Sequence, residues 1–319
     1  MTEERTLDFL EAKIEELRQL NASGGIDLSK EIERLEEKLS ALRQDLYSNL
    51  TDWERVRIAR HPKRPYALDY IASVFSDFYE LRGDRIIGDD RALLTGLARL
   101  EGRPVALLVQ QKGRTTEENK ERFFGMTRPQ GYRKARRTME LAERFGFPVI
   151  SLIDTSGAYP GVESEELNIG GAIAENLQTM AGLRVPTVAV VIGEGGSGGA
   201  LAIGLADRVL MLENAIYSVI TPEGAAAILW KDKEKAREAA TALQMTAPTL
   251  LERGLIDGVV AEPLGGAHKN PATTSAALKE ALVRHLHELE AMPLDRLLAA
   301  RYARYRGVGR YVTRAPDQP

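Results

Sequence analysis

The chain contains no cysteine and only four histidines. The absence of cysteine excludes disulfides, thiolate catalysis and any cysteine-ligated zinc or iron–sulfur site within this chain. Of the histidines only His285 and His287 are close in sequence, so a histidine metal site is not expected either. No apolar run approaches the ~20 residues that a membrane-spanning helix requires, and the first residues lack the apolar core of a signal peptide. The sequence therefore predicts a cytoplasmic protein without a metal of its own.

The charges are distributed unevenly along the chain. The formal net charge is only −3, but residues 103–144 carry eleven basic and five acidic side chains. A charge run of this kind is usually a solvated helix face. Because this one lies between two segments with candidate chemistry, a small polyanionic ligand is the alternative. Nucleic acid is disfavoured, since the chain as a whole is slightly acidic.

Leucine and isoleucine recur at three- and four-residue spacing near the N-terminus. The spacing predicts helices over residues 5–20 and 28–48, which we expect to form an antiparallel hairpin. At 319 residues the chain is long enough for one domain with appendages. We assign residues 1–60 to the hairpin and a linker, residues 61–306 to a globular domain that includes C-terminal helices, and residues 307–319 to a disordered tail.

Beyond residue 66, apolar segments alternate with segments of helical character. Short β-branched strands separated by helices are typical of an α/β fold whose sheet is buried on both faces. The predicted strands span residues 104–111, 147–153, 186–192, 208–212 and 258–262. The predicted helices lie near residues 130–145, 162–182, 222–230 and 234–245, with two more over residues 273–305 that divide around Pro293.

The most informative stretch is residues 191–204, where an apolar run ends in five glycines within seven residues. A strand that runs through glycines into a helix leaves several backbone N–H groups unpaired and directed at one spot. Such a group of donors holds negative charge, either on a phosphate or on an oxyanion that develops during a reaction.

Three interpretations of this stretch stay open on the residues alone. The pattern Gly193-x-Gly195-x-x-Gly198 matches the dinucleotide-binding fingerprint, with Glu213 as its ribose-binding acid, which favours a nicotinamide-dependent oxidoreductase. The pattern Gly195-x-Ser197-x-Gly199 matches the nucleophile elbow of serine hydrolases. The third interpretation is an oxyanion hole built from backbone amides alone.

A second loop with candidate chemistry, Asp154 to Gly161, follows the preceding strand. Strands that are neighbours in an α/β sheet bring the loops at their carboxyl ends to one edge, where such proteins bind ligands. We therefore expect the loop at 154–161 and the glycine segment to form one site.

Several segments follow one another along the chain in a distinctive order: Lys112-Gly113-Arg114, Gly131-Tyr132-Arg133-Lys134, residues 154–161, residues 193–200, Pro222-Glu223-Gly224 and residues 262–268. Together they resemble the α subunits of the bacterial acetyl-CoA carboxylase carboxyltransferase, and with the helical hairpin the resemblance covers nearly the whole chain. The chain departs from the family pattern at Leu167-Asn168-Ile169, at Gln130 and at Ala225.

The resemblance implies a crotonase-like α/β fold, a superhelical core of ββα units, with an N-terminal helical hairpin and C-terminal helices. It also implies transfer of a carboxyl group from carboxybiotin to acetyl-CoA to give malonyl-CoA. Negative charge develops on the biotin ureido oxygen and on the acetyl-CoA enolate in this reaction, so preset hydrogen-bond donors suit it without a side-chain nucleophile.

The resemblance further implies site residues. The backbone amides of Gly198, Gly199 and Ala200 would form the oxyanion hole. The residues expected to bind substrate are Gly157, Ala158, Tyr159, Pro160, Gly161, Gly195 and Gly196, together with Arg133 and Lys134 of the basic stretch, which would face CoA phosphates or a partner.

The resemblance also implies partners. The expected partner is a β subunit with a zinc ribbon, in an α2β2 assembly with active sites between the subunits. Biotin would arrive on a separate biotin carboxyl carrier protein, which biotin carboxylase charges. No membrane partner is expected.

Overall fold

The computed structural model describes residues 2–22 and 27–309, so most of the predicted tail at 307–319 lies outside the described residues. The described residues form one sheet of eight strands. Its strands are β1 (Ser76–Glu80), β2 (Leu93–Leu100), β3 (Arg103–Gln110), β4 (Val149–Thr155), β5 (Thr187–Gly196), β6 (Arg208–Leu212), β7 (Ile216–Ser218) and β8 (Gly258–Val260).

The strand order is β1-β2-β3-β4-β5-β6-β8, and β7 pairs with the far end of β5. The pairs β1–β2 and β2–β3 are antiparallel, whereas the pairs from β3 onward are parallel. The five predicted strands are present, but β1, β2 and β7 were not predicted. The sequence of β2, Leu-Leu-Thr-Gly-Leu-Ala-Arg-Leu, has no Val or Ile and therefore gives little strand signal.

The helices surround this sheet. They are α1 (Thr2–Ala22), α2 (Ser29–Ser48), α3 (Asp52–Ala59), α4 (Ala67–Val74), α5 (Thr116–Glu121), α6 (Pro129–Phe145), α7 (Val162–Glu166), α8 (Ile169–Gly182), α9 (Ser197–Leu201), α10 (Pro222–Trp230), α11 (Ala236–Leu243), α12 (Ala247–Glu252), α13 (Pro271–Glu290) and α14 (Leu294–Arg306), with 3₁₀ turns at Phe123–Gly125 and Lys233–Lys235.

The single helix predicted over 162–182 is wrong, because the chain forms α7 and α8 there. Asn168 stands between them with a φ of 62°, and its side chain accepts the N–H of Gly171. Asparagine tolerates the left-handed conformation and caps the next helix, so the break follows from one residue. The predicted pair of C-terminal helices is confirmed, with Pro293 between α13 and α14.

The main core lies around the central strands. All seven residues of β4 and the first nine of β5 are buried. This burial on both faces is what the continuous apolar composition of these strands predicts. The carboxyl ends of β3, β4 and β5 therefore lie side by side in the buried centre of the sheet.

The predicted hairpin is present as α1 and α2, which share a small apolar cluster of their own. Its buried members are Leu7, Leu10, Ile14, Ile32 and Leu39. In contrast, α3 packs on the body, where Val56 and Ala59 join a cluster with Ile216, Ala240 and Met245. Where the N-terminal unit ends stays a prediction. No helix within residues 2–22 and 27–309 is long and apolar enough to cross a membrane.

The segment His61 to Tyr66 is anchored in the core through Arg64. Arg64 is fully buried, donates from Nε to the Ile192 carbonyl at 2.8 Å and forms an ion pair with Glu262. A buried guanidinium needs such partners to offset its desolvation. The segment therefore fixes the chain to the strand that carries the glycines.

Candidate functional site

The glycine segment is the end of strand β5 and not a loop. We predicted that the strand ends at residue 192, but it continues to Gly196, and α9 begins at Ser197. A side chain at Gly193 would collide with Asp154, and one at Gly196 would collide with the Ser156 backbone at 2.2 Å. These glycines therefore let the strand end pass close to the neighbouring loop.

The loop after β4 meets the glycine segment as predicted. Strands β4 and β5 are parallel neighbours, and Thr155 pairs with Gly195. A Cβ at Gly199 would stand 2.4 Å from the carbonyl carbon of Gly157 and 2.5 Å from the nitrogen of Ala158. The hydroxyl of Thr155 donates to the Gly157 carbonyl at 2.7 Å and so holds the turn of the loop. The two segments form a single backbone-lined site.

The first turn of α9 offers backbone donors to this site. The residue before the helix, Gly196, provides no side-chain cap, so the helix itself leaves its first N–H groups without partners. Gly198 is half-buried, while Gly199 and Ala200 are buried. A Cβ at Gly198 would meet only Ile173, at 3.5 Å or more. No described residue therefore requires glycine at this position for packing, and the space beside it is open to a ligand.

A network of charged side chains supports the ends of β4 and β5. Lys112 Nζ lies 2.7 Å from Asp154 Oδ1 and 2.9 Å from Glu194 Oε1. Arg60 links Glu194 to Glu223, with contacts of 2.7 and 2.6 Å. Asp154 Oδ1 also accepts the backbone N–H of Glu194 at 2.9 Å. The carboxylates are thus held by cations and by the backbone, and each keeps a fixed place beside the glycines.

The network also determines the protonation of Glu194. Burial alone would raise the pKa of this carboxyl, but the charges and hydrogen bonds of Lys112 and Arg60 outweigh burial and lower its pKa to about 2. The pKa of Lys112 is raised, because the two carboxylates offset its own desolvation. Glu194 is therefore ionised at neutral pH and poorly suited to act as a general base.

A narrow cavity opens between this network and the strand end. It is lined by Arg60, Thr155, Ser156, Glu194, Gly195, Gly196, Ile216, Ser218, Ile220, Thr221, Pro222 and Met245. The lining combines polar backbone and the Arg60–Glu194 ion pair with apolar side chains. The cavity has room for about one water molecule.

The remaining predicted loop residues, Tyr159 to Gly161, are more exposed than the buried glycines of β5. Tyr159 packs edge-on against Phe123, with ring centroids 5.0 Å apart, and its N–H donates to the Thr127 carbonyl. Pro160 is exposed and Gly161 is half-buried. The contact of Gly161 with the Tyr159 ring leaves no room for a Cβ. Tyr159 is thus held in place by its ring contact and its backbone hydrogen bond.

The predicted substrate contact of Lys134 does not fit the structure. Its side chain is fully buried, and Nζ contacts Asp89 Oδ1 at 2.5 Å and donates to the Asp90 carbonyl at 2.8 Å. Arg133 donates to the Leu167 carbonyl at 2.5 Å and lies near the buried Asp84. These two charges of the basic stretch are therefore paired within the fold, a role that charge counting along the sequence cannot distinguish from ligand binding.

The sequence did not predict Arg60 or the role of Lys112 in this site. Lys112 follows β3 at the same sheet edge as the two loops, so the rule that joined those loops would have found it. Arg60 lies in a helical segment far from the glycines in sequence, and its place beside Glu194 depends on the tertiary fold.

The hydrolase interpretation lacks a general base. Ser197 has a φ of 52°, as a sharp turn from strand to helix requires. However, the hydrogen bonds of the described residues include none from its hydroxyl, and His268 is instead stacked on His61, with ring centroids 3.7 Å apart. A serine nucleophile needs a base within hydrogen-bond reach.

The dinucleotide interpretation fails on two points. The helix after the glycines, α9, has only five residues, whereas the fingerprint opens a full helix on the first βα unit. Glu213, the expected ribose ligand, accepts the backbone N–H of Glu262.

Among residues 2–22 and 27–309 no cluster of three or more potential ligands for a metal ion occurs.

Comparison with known protein families gives a match over almost the whole chain. The family model described as acetyl co-enzyme A carboxylase carboxyltransferase-like matches residues 1–309. The acetyl-coenzyme A carboxylase carboxyl transferase subunit alpha of Thioalkalivibrio sulfidiphilus is 53% identical over 308 residues, which cover 97% of each chain. The subunit of the same name from Vibrio vulnificus is 54% identical over 309 residues, covering 96% of this chain and 97% of its own.

Solved structures show the same fold. The transcarboxylase 12S structure with methylmalonyl-coenzyme A aligns with a TM-score of 0.56 and 25% identity over 71% of this chain, which spans only 44% of the transcarboxylase chain. A hetero-tetrameric Pseudomonas malonate decarboxylase in complex with coenzyme A aligns with a TM-score of 0.56 and 19% identity, covering 69% of this chain and 90% of that one. The predicted crotonase-like α/β fold is confirmed.

Proposed function

The chain belongs to the acetyl-coenzyme A carboxylase carboxyltransferase family, and we propose that its backbone-lined site receives carboxybiotin from a separate carrier protein. The reaction of this family moves the carboxyl group to acetyl-CoA and gives malonyl-CoA, the committed step of fatty acid synthesis. The chain would serve as the α subunit of this transferase.

One observation carries the proposal. The site offers backbone N–H donors at the start of α9 and has no side-chain nucleophile paired with a base among the described residues. The first N–H groups of α9 lie beside the loop at 154–161, and the space beside Gly198 is open. Carboxybiotin supplies the carboxyl group and leaves negative charge on its ureido oxygen. The amides of Gly198, Gly199 and Ala200 would hold that charge, and each donor of this type typically contributes about 10²–10³ in rate.

The surrounding residues would position the substrate. Gly195 and Gly196 let the ligand approach the end of β5, and residues 157–161 would line the cavity of the biotin ring. The pairing of Lys112 and Arg60 with their carboxylates keeps this framework rigid, which a preorganised site requires. The exposed basic side chains of residues 103–144, and not the internally paired Arg133 and Lys134, would face CoA or the partner subunit.

The assignment implies partners that complete the site. A β subunit with a zinc ribbon would bind acetyl-CoA and stabilise its enolate with its own amides, in an α2β2 assembly. A biotin carboxyl carrier protein would deliver the carboxyl group, and biotin carboxylase would charge that carrier. Acetyl-CoA is the proposed acceptor, although acyl selection would lie largely in the partner.

The test is the reverse reaction, in which malonyl-CoA and biocytin release acetyl-CoA. We expect no turnover by this chain alone and turnover by the chain co-purified with the β subunit. Gly198→Val should abolish turnover in an intact assembly, because its side chain fills the space beside the donors. A stable assembly of both subunits without turnover would reject the proposal.

The hydrolase alternative is tested in the same assembly. If Ser197 were a nucleophile, Ser197→Ala would remove all activity and the chain would react with a fluorophosphonate. We expect Ser197→Ala to retain carboxyl transfer and the wild-type chain to remain unlabelled.

A further inference from the structure

The carbonyl of Gly199 is held on the core side of α9 by two buried side chains. Gln110 Nε2 donates to it at 2.8 Å, and the Tyr132 hydroxyl donates at 3.4 Å. Both side chains are fully buried. Gln110 ends β3 and Tyr132 lies near the start of α6, so two elements outside the glycine segment reach one backbone oxygen within it.

This oxygen is not used by α9 itself. In a regular α-helix it would accept the N–H of Ile203. That N–H instead donates to the Ala200 carbonyl at 3.3 Å, while the N–H of Ala202 donates to the Gly198 carbonyl at 3.0 Å. The short helix therefore leaves the Gly199 oxygen available, and the side chains satisfy it.

Holding this carbonyl also determines the direction of the next amide. A trans peptide is planar, so its N–H lies on the side opposite to its C=O, and no cis peptide occurs among the described residues. With the Gly199 oxygen fixed towards Gln110, the Ala200 N–H must point the other way. Ala200 N–H is one of the donors that the proposed function assigns to the oxyanion.

The choice of glutamine has a cost that an apolar residue would avoid. Gln110 Oε1 is buried and has no hydrogen-bond partner among the described residues, and an unpaired buried acceptor is unfavourable. A methionine would fill a similar volume without it. The amide therefore contributes through its donated hydrogen bond.

We propose that Gln110 is a positioning residue for carboxyl transfer, which orients the Gly199–Ala200 peptide so that its N–H faces the developing oxyanion. Tyr132 assists through its longer hydrogen bond. Gln110 touches no substrate and acts only through the peptide. This inference rests on the proposed function, since it assumes that the Ala200 amide stabilises charge in the reaction.

The test compares three variants of the full chain, each co-purified with the β subunit and assayed with malonyl-CoA and biocytin. Gln110→Met should lower kcat about 10- to 100-fold, with KM for malonyl-CoA changed by no more than about twofold, because the donor acts in the transition state. Tyr132→Phe should lower kcat by less, since its bond is longer. The control is Asn176→Leu, a buried amide in α8 whose side-chain atoms bind no described residue; it should keep the wild-type kcat.

Crystal structures of the wild-type and Gln110→Met assemblies provide a readout that does not depend on activity. We expect the Gly199–Ala200 peptide to change orientation in the variant. An unchanged peptide overturns the inference, whether kcat falls or not. If the methionine variant fails to assemble, Gln110→Leu, which also lacks a donor, replaces it, and the same two outcomes apply.

The two proposals fail in different ways. A wild-type assembly without carboxyl transfer rejects the proposed function, while the pair of crystal structures still decides whether Gln110 orients the peptide. An active wild-type assembly with wild-type kcat in Gln110→Met rejects the positioning role alone.

Discussion

Gly199 lies so close to Gly157 that a Cβ built on it would stand 2.4 Å from the Gly157 carbonyl carbon. The contact is between two backbones, so no side chain can rotate away to relieve it. One residue earlier, a Cβ on Gly198 would find only the Ile173 side chain, at an ordinary contact distance of 3.5 Å. The two neighbouring glycines therefore have different functions. Gly199 lets α9 approach the loop at 154–161, and Gly198 leaves space for a ligand.

This difference predicts opposite behaviour for two alanine variants. Gly199→Ala should push the loop at 154–161 away from α9 and destabilise the chain by about 1–3 kcal/mol, as overpacking does. It should also lower carboxyl transfer about 100-fold or more, since the donors lose their places. Gly198→Ala should keep the wild-type Tm and lose activity only. Thermal unfolding and the malonyl-CoA assay on both variants measure this.

Two results would contradict this difference between Gly198 and Gly199. If Gly198→Ala lowers Tm as much as Gly199→Ala does, the space beside Gly198 is required for packing and not for a ligand. If Gly199→Ala keeps full activity, the close contact between α9 and the loop at 154–161 is not needed for carboxyl transfer.

The convergence of the two loops could be predicted from sequence because it depends on a local rule. Each loop follows an apolar strand, and neighbouring parallel strands bring such loops to one edge. The continuation of β5 through Gly196 was missed, because glycine gives no strand signal. It forms strand here since β7 pairs with it at residues 194–196, a partner that only the fold brings there.

The charged part of the site could not be predicted for a different reason. Arg60 and Glu194 are far apart in sequence, and neither pattern nor spacing connects them. Lys134 shows the converse error: a lysine in a basic stretch suggests a ligand contact, but Asp89 and the Asp90 carbonyl hold it in the interior. Whether a charge is paired inside or exposed outside depends on tertiary structure.

The pairing of Glu194 predicts a loss of stability in acid. The folded carboxyl has its pKa lowered to about 2 from its ordinary value of 4.5, so the unfolded chain binds this proton at a higher pH than the folded chain. The free energy of unfolding should therefore fall as the pH drops from about 4.5 to about 2. Glu194→Gln should remove this part of the slope, measured by urea unfolding at a series of pH values.

The control for Glu194 is Glu117→Gln, which alters an exposed carboxyl in the first turn of α5. It should leave the acid slope unchanged. Equal slopes in the wild type and Glu194→Gln would show that Lys112 and Arg60 do not stabilise the ionised carboxyl.

The stacked pair of His61 and His268 predicts a second pH effect, in a less acidic range. Burial first, and then the neighbouring positive charges of His61 and Lys269, lower the pKa of His268 to about 4 from its ordinary value of 6.5. The unfolded chain thus binds this proton first, and stability should decline as the pH falls from about 6.5 to about 4. His268→Gln should flatten the decline over that range.

The imidazole signals of the protein allow a direct check by NMR titration. The His268 signal should show no midpoint near 6.5. The control for the stability measurement is His287→Gln, at an exposed position of α13, which should not alter the dependence of stability on pH. His285 also has a lowered pKa, because it is partly buried, so a residual slope should remain in His268→Gln. A His268 midpoint at the ordinary value would contradict the prediction.

The C-terminal helix α14 is fixed to the body by one buried arginine. Arg301 donates to both carboxylate oxygens of Asp207, at 2.8 and 2.7 Å. It also donates to the carbonyls of Met180, Leu183 and Val185, at 2.6 to 3.0 Å. Five hydrogen bonds from one planar group fix the end of α8 and the start of β5 together, a geometry that the single ammonium of lysine cannot reproduce.

Arg301→Met should therefore lower the free energy of unfolding by about 3–5 kcal/mol, because the Asp207 carboxylate stays buried without its cation. Arg301→Lys should recover only part of the loss, while Arg296→Met, at an exposed arginine of the same helix, should cost little. Urea unfolding of the three variants measures whether their free energies of unfolding follow this order. Arg301 contacts no residue of the glycine site, so kcat per folded assembly should stay at the wild-type value even where stability falls. An unfolding free energy of Arg301→Met equal to that of Arg296→Met would mean that α14 is held by its other contacts, among them the Arg304–Asp257 ion pair and the hydrogen bonds of the Tyr305 hydroxyl with Ala206.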